Sequence, residues 1–330
     1  MGKREVFLGV DVGSVSINVV AVNDKNDVIE KIYMRTEGKP IQILKEAMGR
    51  MSSLLPADVK INGVGTTGSG RHLAAAVLGA DVVKNEITAH GIAVLTFEPD
   101  VRTIIEVGGQ DSKIIILRDG VVSDFAMNTV CAAGTGSFLD RQAARLNIPI
   151  EQFGELALKS RSPVRIAGRC AVFAESDMIH KQQMGCSCED IVRGLCEALV
   201  RNYLNNIGKG KEILPKVVFQ GGVAANVGIR KAFEEALGFP VTVPEHYDVM
   251  GAIGAAILSK KFIGNNRSRF KGFDMVLKQE FQSRSFECGG CPNICEIIQL
   301  NMDGGTVALW GGRCGRWAKA QEYAGEKKMA

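Results

Sequence analysis

The chain has 330 residues and a formal net charge of +4, from 40 Lys and Arg against 36 Asp and Glu. No basic run stands out, which argues against nucleic-acid binding, and no apolar run approaches the roughly 18 residues that a membrane helix needs. The combination of 46% hydrophobic but only 6% aromatic residues with 38 glycines favours a soluble α/β protein, long enough for two domains. Because the N-terminus leads into a strand without a signal peptide, we expect a cytoplasmic location.

The first predicted elements form a hairpin around a glycine-containing turn. An apolar strand over Val6–Asp11 leads into the turn Asp11-Val-Gly-Ser14. Strands over Ile17–Val22 and Val28–Arg35 follow. The backbone N–H groups of such a turn can face a phosphate, although an ordinary hairpin turn is the more common meaning of the pattern.

The next predicted elements are an amphipathic helix over Ile41–Leu55, a strand over Ile61–Thr66 and a helix over Arg71–Leu78. Glu86 and His90 then lie four positions apart on one face of a further predicted helix. A Glu/His pair at this spacing either binds a metal or, more commonly, is solvated or hydrogen-bonded.

The hairpin pattern then repeats. A strand over Val101–Val107 leads into the acidic turn Gly108–Ser112, and strands over Lys113–Arg118 and Val121–Ala126 follow. A duplicated hairpin with an acidic turn is more specific than either copy alone. Two phosphate-facing turns, one in each domain, would hold the phosphates and Mg²⁺ of a nucleotide, because Mg²⁺ prefers oxygen ligands and keeps several waters.

Nine cysteines are many for a cytoplasmic chain, and their odd number and clustering favour metal, cluster or redox roles over disulfides. Cys131 precedes a predicted helix at Phe138–Leu146, and Cys170 directly precedes one at Ala171–Lys181. We predict each thiol at a helix N-terminus, where the dipole favours a thiolate and an anionic cluster bound to it. The alternative is that both are buried small hydrophobic residues.

A third glycine-containing turn follows the buried strand that begins at Lys216 and ends in Gln220-Gly-Gly222. The glycine pair would let a flat ring approach the backbone. The segment Phe239–Val243 and Pro244 come next. The helix Met250–Leu258 is then rich in small residues, which permit close packing or a contact between domains.

This ordered set of turns resembles the nucleotide core shared by actin, hexokinase and the heat-shock-70 chaperones. With the cysteine motifs at 131–136 and 170–175, the resemblance narrows to the activator ATPases (component A, of the BadF/BadG/BcrA/BcrD type) of 2-hydroxyacyl-CoA dehydratases. Their relatives in benzoyl-CoA reductases and the related reductase of double-cubane cluster proteins are also similar. The likeness covers roughly residues 5–262 and rests on motifs that kinases and chaperones lack.

The resemblance implies an α/β fold of the actin/hexokinase/heat-shock-70 type, with two duplicated α/β domains and a short Cys-rich C-terminal extension. The domains would be 1–97, 98–262 and the extension 263–330, with the last helix, near 250–262, packing back on the first domain.

The resemblance also implies a homodimer with one [4Fe-4S] cluster shared between the subunits, held by Cys131 and Cys170 of each. A cubane cluster needs four thiolates, and two-fold symmetry doubles the two that each chain offers. Structural roles are expected for Cys186, Cys188 and Cys196.

The implied activity is ATP hydrolysis coupled to the transfer of a single low-potential electron in anaerobic metabolism. Reduced ferredoxin or flavodoxin would be the donor. A 2-hydroxyacyl-CoA dehydratase, a benzoyl-CoA reductase or a double-cubane cluster protein would be the acceptor. One alternative is a sugar or carboxylate kinase of the same fold, and another is a redox- or metal-sensing binding protein without turnover.

The resemblance assigns roles within the turns. Asp11 and Asp111 would hold Mg²⁺ through water, and Glu106 would position the attacking water; these three are the candidate catalytic residues. The candidate nucleotide-binding residues are Gly13, Ser14, Gly108, Gly109 and Gln110 at the phosphates, and Gly221 and Gly222 beside adenosine.

The tail carries a separate cysteine cluster after a polar, linker-like segment over 263–269. Cys288, Cys291 and Cys295 give the spacing C-x2-C-x3-C, and Cys314 follows 19 positions later. Four thiols among turn-forming residues predict a tetrahedral Zn²⁺ site or a second iron–sulfur cluster, with free or redox-active thiols as the alternative. Zn²⁺ as a structural staple is the preferred ion, because so short a tail buries little core.

Overall fold

The computed structural model describes residues 4–302 and 305–317 of the chain. This part forms two compact units. The first unit combines the described residues up to Asn85 with those from Gly251 onward, and the second is the continuous segment Glu86–Met250. The chain therefore passes from the first unit into the second and back again.

These boundaries differ from the predicted domains 1–97, 98–262 and 263–330. The helix Glu86–Phe97 belongs to the second unit, because its polar side chains bond to residues of that unit. The last helix of the predicted core and the cysteine-containing extension both lie in the first unit.

The described residues form thirteen strands and ten α-helices. The strands are β1 (Arg4–Val12), β2 (Ser16–Val22), β3 (Val28–Arg35), β4 (Val59–Thr67), β5 (Val82–Val83), β6 (Thr103–Val107), β7 (Ser112–Arg118), β8 (Val121–Asn128), β9 (Val217–Gln220), β10 (Val241–Thr242), β11 (Phe281–Glu287), β12 (Glu296–Met302) and β13 (Gly305–Trp310). The helices are α1 (Pro40–Leu54), α2 (Arg71–Leu78), α3 (Glu86–Phe97), α4 (Gly136–Leu146), α5 (Ile150–Leu158), α6 (Ala171–Gln183), α7 (Cys188–Asn206), α8 (Val227–Leu237), α9 (Met250–Ile263) and α10 (Phe273–Lys278). Within the described residues, no helix combines the length and apolar character needed to span a membrane.

The first unit is built on a mixed sheet with the strand order β3-β2-β1-β4-β5. Strands β1, β2 and β3 are antiparallel neighbours, whereas β1, β4 and β5 run parallel. The centres of β1 and β2 are fully buried, because apolar residues cover both of their faces. The predicted hairpin and the strand after it are confirmed, each to within two residues of the expected bounds.

Glycines in this sheet allow α9 to lie directly on the strands. A Cβ added at Gly9 would fall 1.8 Å from the Ala252 carbonyl oxygen, and one at Gly65 would fall 2.0 Å from that of Ala255. Only glycine fits where a helix backbone approaches a strand this closely. The small residues of α9 thus serve close packing within the first unit, one of the two uses that the sequence predicts for them.

The second unit repeats the topology of the first. Its sheet has the order β10-β9-β6-β7-β8, with β6, β7 and β8 antiparallel and β6, β9 and β10 parallel. This repetition confirms the duplicated hairpin. The long helix α7 is buried along one face and packs against α5, α6 and α8.

The C-terminal extension packs on the first unit as an antiparallel sheet of the order β11-β12-β13. Val276 of α10 and Leu300 and Ala308 of the sheet join the buried core of that unit. The segment before them is not a free linker as expected. The Arg269 N–H donates to a carboxylate oxygen of the buried Asp81 at 2.8 Å, which fixes this segment to the first unit.

Candidate functional site

The predicted first phosphate-binding turn lies at the carboxyl end of β1. The Gly13 N–H donates to the Ser16 carbonyl at 2.9 Å, and the Thr36 hydroxyl donates to the Gly13 carbonyl at 3.5 Å. Asp11 is half-buried next to the last residue of the strand, and Ser14 is exposed in the turn. Ligands bind outside the carboxyl ends of strands in open α/β sheets, so this position suits phosphate contacts.

The loop Thr67–Gly70, at the end of the parallel neighbour β4, lies against Asp11, a contact that the sequence did not predict. Gly68 has a φ of +91°, and a Cβ there would fall 2.4 Å from Asp11 Oδ1. The Gly70 N–H donates to the Val12 carbonyl at 2.8 Å. A Gly-x-Gly sequence directly after a buried strand is the available signal for such a loop. The Asp11 carboxylate therefore lies directly against the backbone at the end of β4.

The predicted second phosphate-binding turn, Gly108–Asp111, follows β6 and is fixed by the start of α4. The Gly136 N–H donates to the Gly108 carbonyl at 2.8 Å. Ser137 donates to the Gly109 carbonyl from its N–H at 2.8 Å and from its hydroxyl at 2.6 Å. These hydrogen bonds connect the turn directly to the first residues of α4. Gln110, which lies between Gly109 and Asp111 in this turn, is exposed.

The third glycine-containing turn lies beside the second one. It follows β9, which runs parallel to β6 with Gln220 opposite Glu106. Gly221 has a φ of +88°, and a Cβ there would fall 2.5 Å from the Val107 carbonyl oxygen and 2.7 Å from Glu106 Oε1. The structure thus brings two of the predicted nucleotide-binding turns together within the second unit, with Gly222 directly after Gly221.

Lys113 is a functional candidate that the sequence analysis missed. Its ammonium group lies 2.7 Å from a carboxylate oxygen of Glu86, 2.9 Å from one of Glu106 and 3.0 Å from one of Asp111. Its side chain is only 3% exposed, so these ion pairs are shielded from water. A charged residue at the start of an otherwise apolar strand is the sequence signal for such a buried pair. Two of the three predicted catalytic carboxylates therefore share one cation.

The protonation of this cluster follows from its burial and its charges. Burial raises the pKa of Glu106 to about 7, and the nearby Lys113 only partly offsets this. Burial acts to lower the pKa of Lys113, but the three carboxylates together raise it well above its usual value. The buried carboxyl of Glu106 therefore exchanges a proton near neutral pH.

Glu86 and His90 each have a polar partner of their own. Glu86 is paired with Lys113, and the His90 Nδ1 lies 2.7 Å from the Gln220 side-chain nitrogen. Burial, and then the charge of Lys113, lowers the pKa of His90 to about 3. His90 is therefore neutral at physiological pH and accepts the amide hydrogen of Gln220 at Nδ1.

Cys131 and Cys170 are both half-buried in the second unit. Cys170 directly precedes α6, which confirms its predicted position at a helix N-terminus. Cys131 instead precedes a single 3₁₀ turn at Ala132–Gly134, and α4 begins two residues after that turn. The Asn128 side chain accepts the Cys131 N–H at 2.9 Å and donates to its carbonyl at 2.7 Å, which fixes the loop.

Asn202, on the buried face of α7, connects the two cysteine segments. Its amide nitrogen donates to the Gly168 carbonyl at 2.6 Å and lies 3.7 Å from the Cys131 sulfur. Its amide oxygen lies 3.8 Å from the same sulfur. One side chain thus contacts both the first thiol and the segment that leads to Cys170, a link that the sequence did not reveal.

The other cysteines of the second unit differ in burial. Cys196 is fully buried in the core, and this burial raises the pKa of its thiol to about 12, consistent with a structural role. Cys186 is half-buried and packs against the same core, whereas Cys188 is exposed at the start of α7.

The structure, which carries no ligands, shows no convergent metal site among the residues it describes. No group of three or more His, Cys, Asp and Glu side chains within 4–302 and 305–317 has the arrangement to hold a metal ion. Cys131 and Cys170 supply two thiols from one chain, fewer than such a group. The four tail cysteines lie in the first unit.

The sequence from the first hairpin to α9 matches a known family. The model of the BadF/BadG/BcrA/BcrD ATPase family matches residues 8–259. The chain belongs to this family. The match ends before the extension, so the tail cysteines lie outside it.

Several characterised relatives are similar over most of the chain. The (R)-2-hydroxyglutaryl-CoA dehydratase activating ATPase of Acidaminococcus fermentans is 33% identical over 261 residues, 77% of this chain and 96% of the relative. The activator of lactoyl-CoA dehydratase of Anaerotignum propionicum is 33% identical over 253 residues, 76% of this chain and 95% of the relative. The structure of the activator of 2-hydroxyisocaproyl-CoA dehydratase from Clostridium difficile with bound ADPNP has a TM-score of 0.70 at 30% identity. The structural match covers 78% of this chain and 94% of the activator.

These similarities confirm the predicted α/β fold of the actin/hexokinase type, and the ATPase family itself. They favour an ATPase that activates a partner enzyme over the kinase alternative.

Proposed function

We propose that this protein is an ATP-dependent reductive activase, which couples ATP hydrolysis to the transfer of one low-potential electron onto a partner metalloenzyme. The observation that carries the proposal is the connection within the second unit between the Gly108–Asp111 turn and the loop of Cys131. Its support from the comparisons is that the relatives are activators of dehydratases, one of them with ADPNP bound.

The nucleotide would be bound by the glycine-containing turns. Asp11 and Asp111 would hold Mg²⁺ through water, since carboxylates suit this ion. Glu106 would accept a proton from the attacking water in its ionised form, and its pKa of about 7 suits that task. The residues proposed to contact phosphate are Gly13, Ser14, Gly108, Gly109 and Gln110, and those proposed beside adenosine are Gly221 and Gly222.

Cys131 and Cys170 would hold half of a [4Fe-4S] cluster, and the same residues of a second copy would hold the other half. When bound, such a cluster accepts and donates one electron at a time. The residues present fit this group, because both thiols are half-buried rather than sealed in the core and Asn202 connects their segments.

A homodimer is supported by apolar side chains that flank both thiols. Val130, beside Cys131, is 94% exposed, and Phe173, near Cys170, is 67% exposed. Val172 and Met127 are further exposed apolar residues of the same two segments. Contiguous exposed apolar groups mark interaction surfaces. A second copy is the occupant that also completes the four thiolates.

Coupling would follow the hydrogen bonds at the start of α4. Loss of a phosphate from the Gly108–Asp111 turn would release the contacts that hold that turn in place. Gly136 and Ser137 donate to the carbonyls of the same turn, and the chain from Cys131 to Gly136 is short. A shift of the turn would therefore be transmitted to the Cys131 loop.

The electron donor we propose is a reduced ferredoxin or flavodoxin. The acceptor is a 2-hydroxyacyl-CoA dehydratase, a benzoyl-CoA reductase or a double-cubane cluster protein, in the cytoplasm of an anaerobic cell. The activating roles printed for the relatives support the dehydratase class of acceptor.

The deciding experiment is anaerobic purification of the full chain, with iron and sulfide analysis and a visible spectrum. We expect about four irons per dimer in the parent, and their loss in Cys131→Ala. The matched control is Cys188→Ala, an exposed cysteine of the same unit, which should keep the iron. An iron-free parent after anaerobic reconstitution, with ATP consumed only when a sugar is added, would contradict the activase and indicate a kinase.

A further inference from the structure

The antiparallel sheet of the extension brings four cysteines to one of its ends. Strand β11 ends where β12 begins, with Glu287 paired to Glu296, and β13 ends beside the start of β12, with Trp310 paired to Ile298. The loop between β11 and β12 carries Cys288, Cys291 and Cys295, and the segment after β13 carries Cys314. Cys295 and Cys314, 19 positions apart in sequence, therefore lie in segments at the same end of the sheet.

The loop between β11 and β12, residues 288–295, is closed by backbone hydrogen bonds. These bonds fix the positions of the three cysteines in the loop. The Cys288 N–H donates to the Cys295 carbonyl at 2.8 Å, so the first and third cysteines of the motif are held next to each other. The Ile294 N–H donates to the Cys291 carbonyl at 3.2 Å. The backbone thus forms a compact turn around the three thiols.

The segment after β13, residues 311–317, folds back onto this loop. The Trp317 ring lies edge-on against Phe286, with ring centroids 5.2 Å apart. A Cβ added at Gly311 would fall 2.3 Å from the Glu296 carbonyl oxygen, so the chain passes directly beside the residue that follows Cys295. Cys314 lies between these two contacts.

A positive charge lies at the same place. A Cβ added at Gly290 would fall 2.8 Å from Arg316 Nη1 and 3.4 Å from the Cys288 sulfur. The guanidinium group is therefore beside the first thiol of the motif. Four thiolates around one divalent ion keep a net double negative charge, which a neighbouring cation stabilises.

Beyond the ring contact of Trp317, buried apolar packing orders the strands of this sheet rather than these two segments. The buried apolar side chains of the small sheet, Ile297, Leu300 and Ala308, are all in its strands. In the loops, Cys288 is buried, but Cys291 and Cys314 are exposed and Ile294 is 59% exposed. Loops with so few buried side chains gain order from a covalent or metal staple.

We propose that Cys288, Cys291, Cys295 and Cys314 bind one Zn²⁺ that fastens the two loops to each other. Zn²⁺ fits because it takes four thiolates in a closed tetrahedral site and its structural sites use short Cys-x2-Cys loops. The described side chains of these cysteines do not converge on one point, so binding requires the exposed Cys291 and Cys314 to change rotamer. This site is independent of the proposed activase function and of the thiols of the second unit.

The test is zinc and iron analysis of the full chain purified anaerobically, in parent and variants. The parent should hold about one zinc per chain. Cys288→Ser and Cys314→Ser should each lower this occupancy at least about tenfold. Cys188→Ser, an exposed cysteine outside the cluster, and Cys131→Ala should leave it unchanged. Zinc that persists in Cys288→Ser and Cys314→Ser, or iron and sulfide in the tail in its place, would overturn the proposal.

A second measurement decides the matter if the tail variants fail to fold. Cobalt is added to the parent chain after removal of its zinc with a chelator. The intense thiolate-to-cobalt absorption of a tetrahedral site should then develop to about one equivalent per chain. Hydrogen exchange in residues 288–295 and 311–317 should slow at the same time, while exchange in β1 and β4 stays constant. A weak octahedral cobalt spectrum would refute four-thiolate ligation.

Discussion

At the scale of single residues, Lys113 is the group on which the acidic cluster of the second unit depends. Its ammonium group is buried among Glu86, Glu106 and Asp111. Removing one partner of a buried ion pair leaves charge without compensation, which is far more costly than the loss of a surface pair. The cluster therefore combines a structural role with the proposed catalytic one.

We expect Lys113→Met to lower the free energy of unfolding by about 3–5 kcal/mol. The matched control is Lys231→Met, which removes a half-exposed ion pair with Glu235 on α8 and should cost less than about 1 kcal/mol. Urea denaturation of both variants measures the difference. Equal losses in the two variants would show that the buried cluster is not held by Lys113.

The raised pKa of Glu106 predicts a pH dependence of stability. The folded chain keeps the proton on Glu106 up to about pH 7, whereas the unfolded chain releases it near 4.5. Folding therefore takes up a proton in this window, and the stability contributed by the protonated carboxyl is lost as the pH rises from 4.5 to about 7. Lys113, Asp111 and Glu86 are the charged groups that face it.

The substitution Glu106→Gln replaces the titrating carboxyl with a neutral amide. We expect the stability of the variant relative to the parent to increase from about pH 5 to about pH 8. The exposed carboxylate of Glu212, replaced by Gln, serves as the control and should give a curve parallel to that of the parent. Urea midpoints across this pH range are the measurement, and a constant difference between Glu106→Gln and the parent would contradict the raised pKa.

At the scale of elements, glycine placement decides how helices meet the first sheet. The Ala255 carbonyl of α9 occupies the space that a side chain at Gly65 of β4 would need. Gly49, inside α1, has only the end of the Leu277 side chain at 3.4 Å, which is ordinary contact. The two positions therefore respond to alanine in opposite directions.

Gly65→Ala should destabilise the chain by about 1–3 kcal/mol or more, because backbone atoms of α9 must move. Gly49→Ala should stabilise it by about 0.5–1 kcal/mol, because glycine in a helix interior loses more backbone entropy on folding than alanine. Thermal or urea unfolding gives both values. A neutral Gly65→Ala would show that α9 does not lie on β4 at this distance.

The sequence predicted the elements whose apolar pattern is strong. Continuous apolar runs and glycine turns placed the first two hairpins and the turn at Gln220-Gly-Gly222, because a buried strand and its turn are encoded locally. The small sheet of the extension was not predicted, since β11 is largely exposed and lacks the alternation of a half-buried strand.

The contacts that complete the site could not be predicted from the sequence, because they join residues from different elements. Asn202 meets Cys131 across 71 positions, and Lys113 meets Glu86 through the packing of α3 on the second sheet. Such pairs depend on which helix face reaches which strand end. No local pattern specifies that choice, whereas the glycine turns are visible in the sequence itself.

At the scale of the whole molecule, the proposed dimer depends on the apolar residues around the thiols. Phe173, near the start of α6, is 67% exposed, and Phe262, on α9, is 62% exposed. Both are aromatic residues on helices with similar exposure, so they form a matched pair.

We expect Phe173→Gln to weaken dimerisation at least about tenfold, or ~1.4 kcal/mol, and to lower the iron content in parallel. Phe262→Gln should leave both unchanged. Sedimentation velocity under anaerobic conditions, with iron analysis of each species, measures the effect. A fully dimeric, iron-replete Phe173→Gln would remove this surface from the interface.

The position of α9 has a consequence for how the protein is made. The ribosome completes β1 to β5 first and the whole second unit next, and only then emits the helix that covers Gly9 and Gly65. The second unit can reach its native state as a continuous segment, whereas the first must wait for a helix that follows the second unit in the chain. A nascent chain halted before Met250 would hold an uncapped sheet face, so this interval is where a chaperone would find its binding surface.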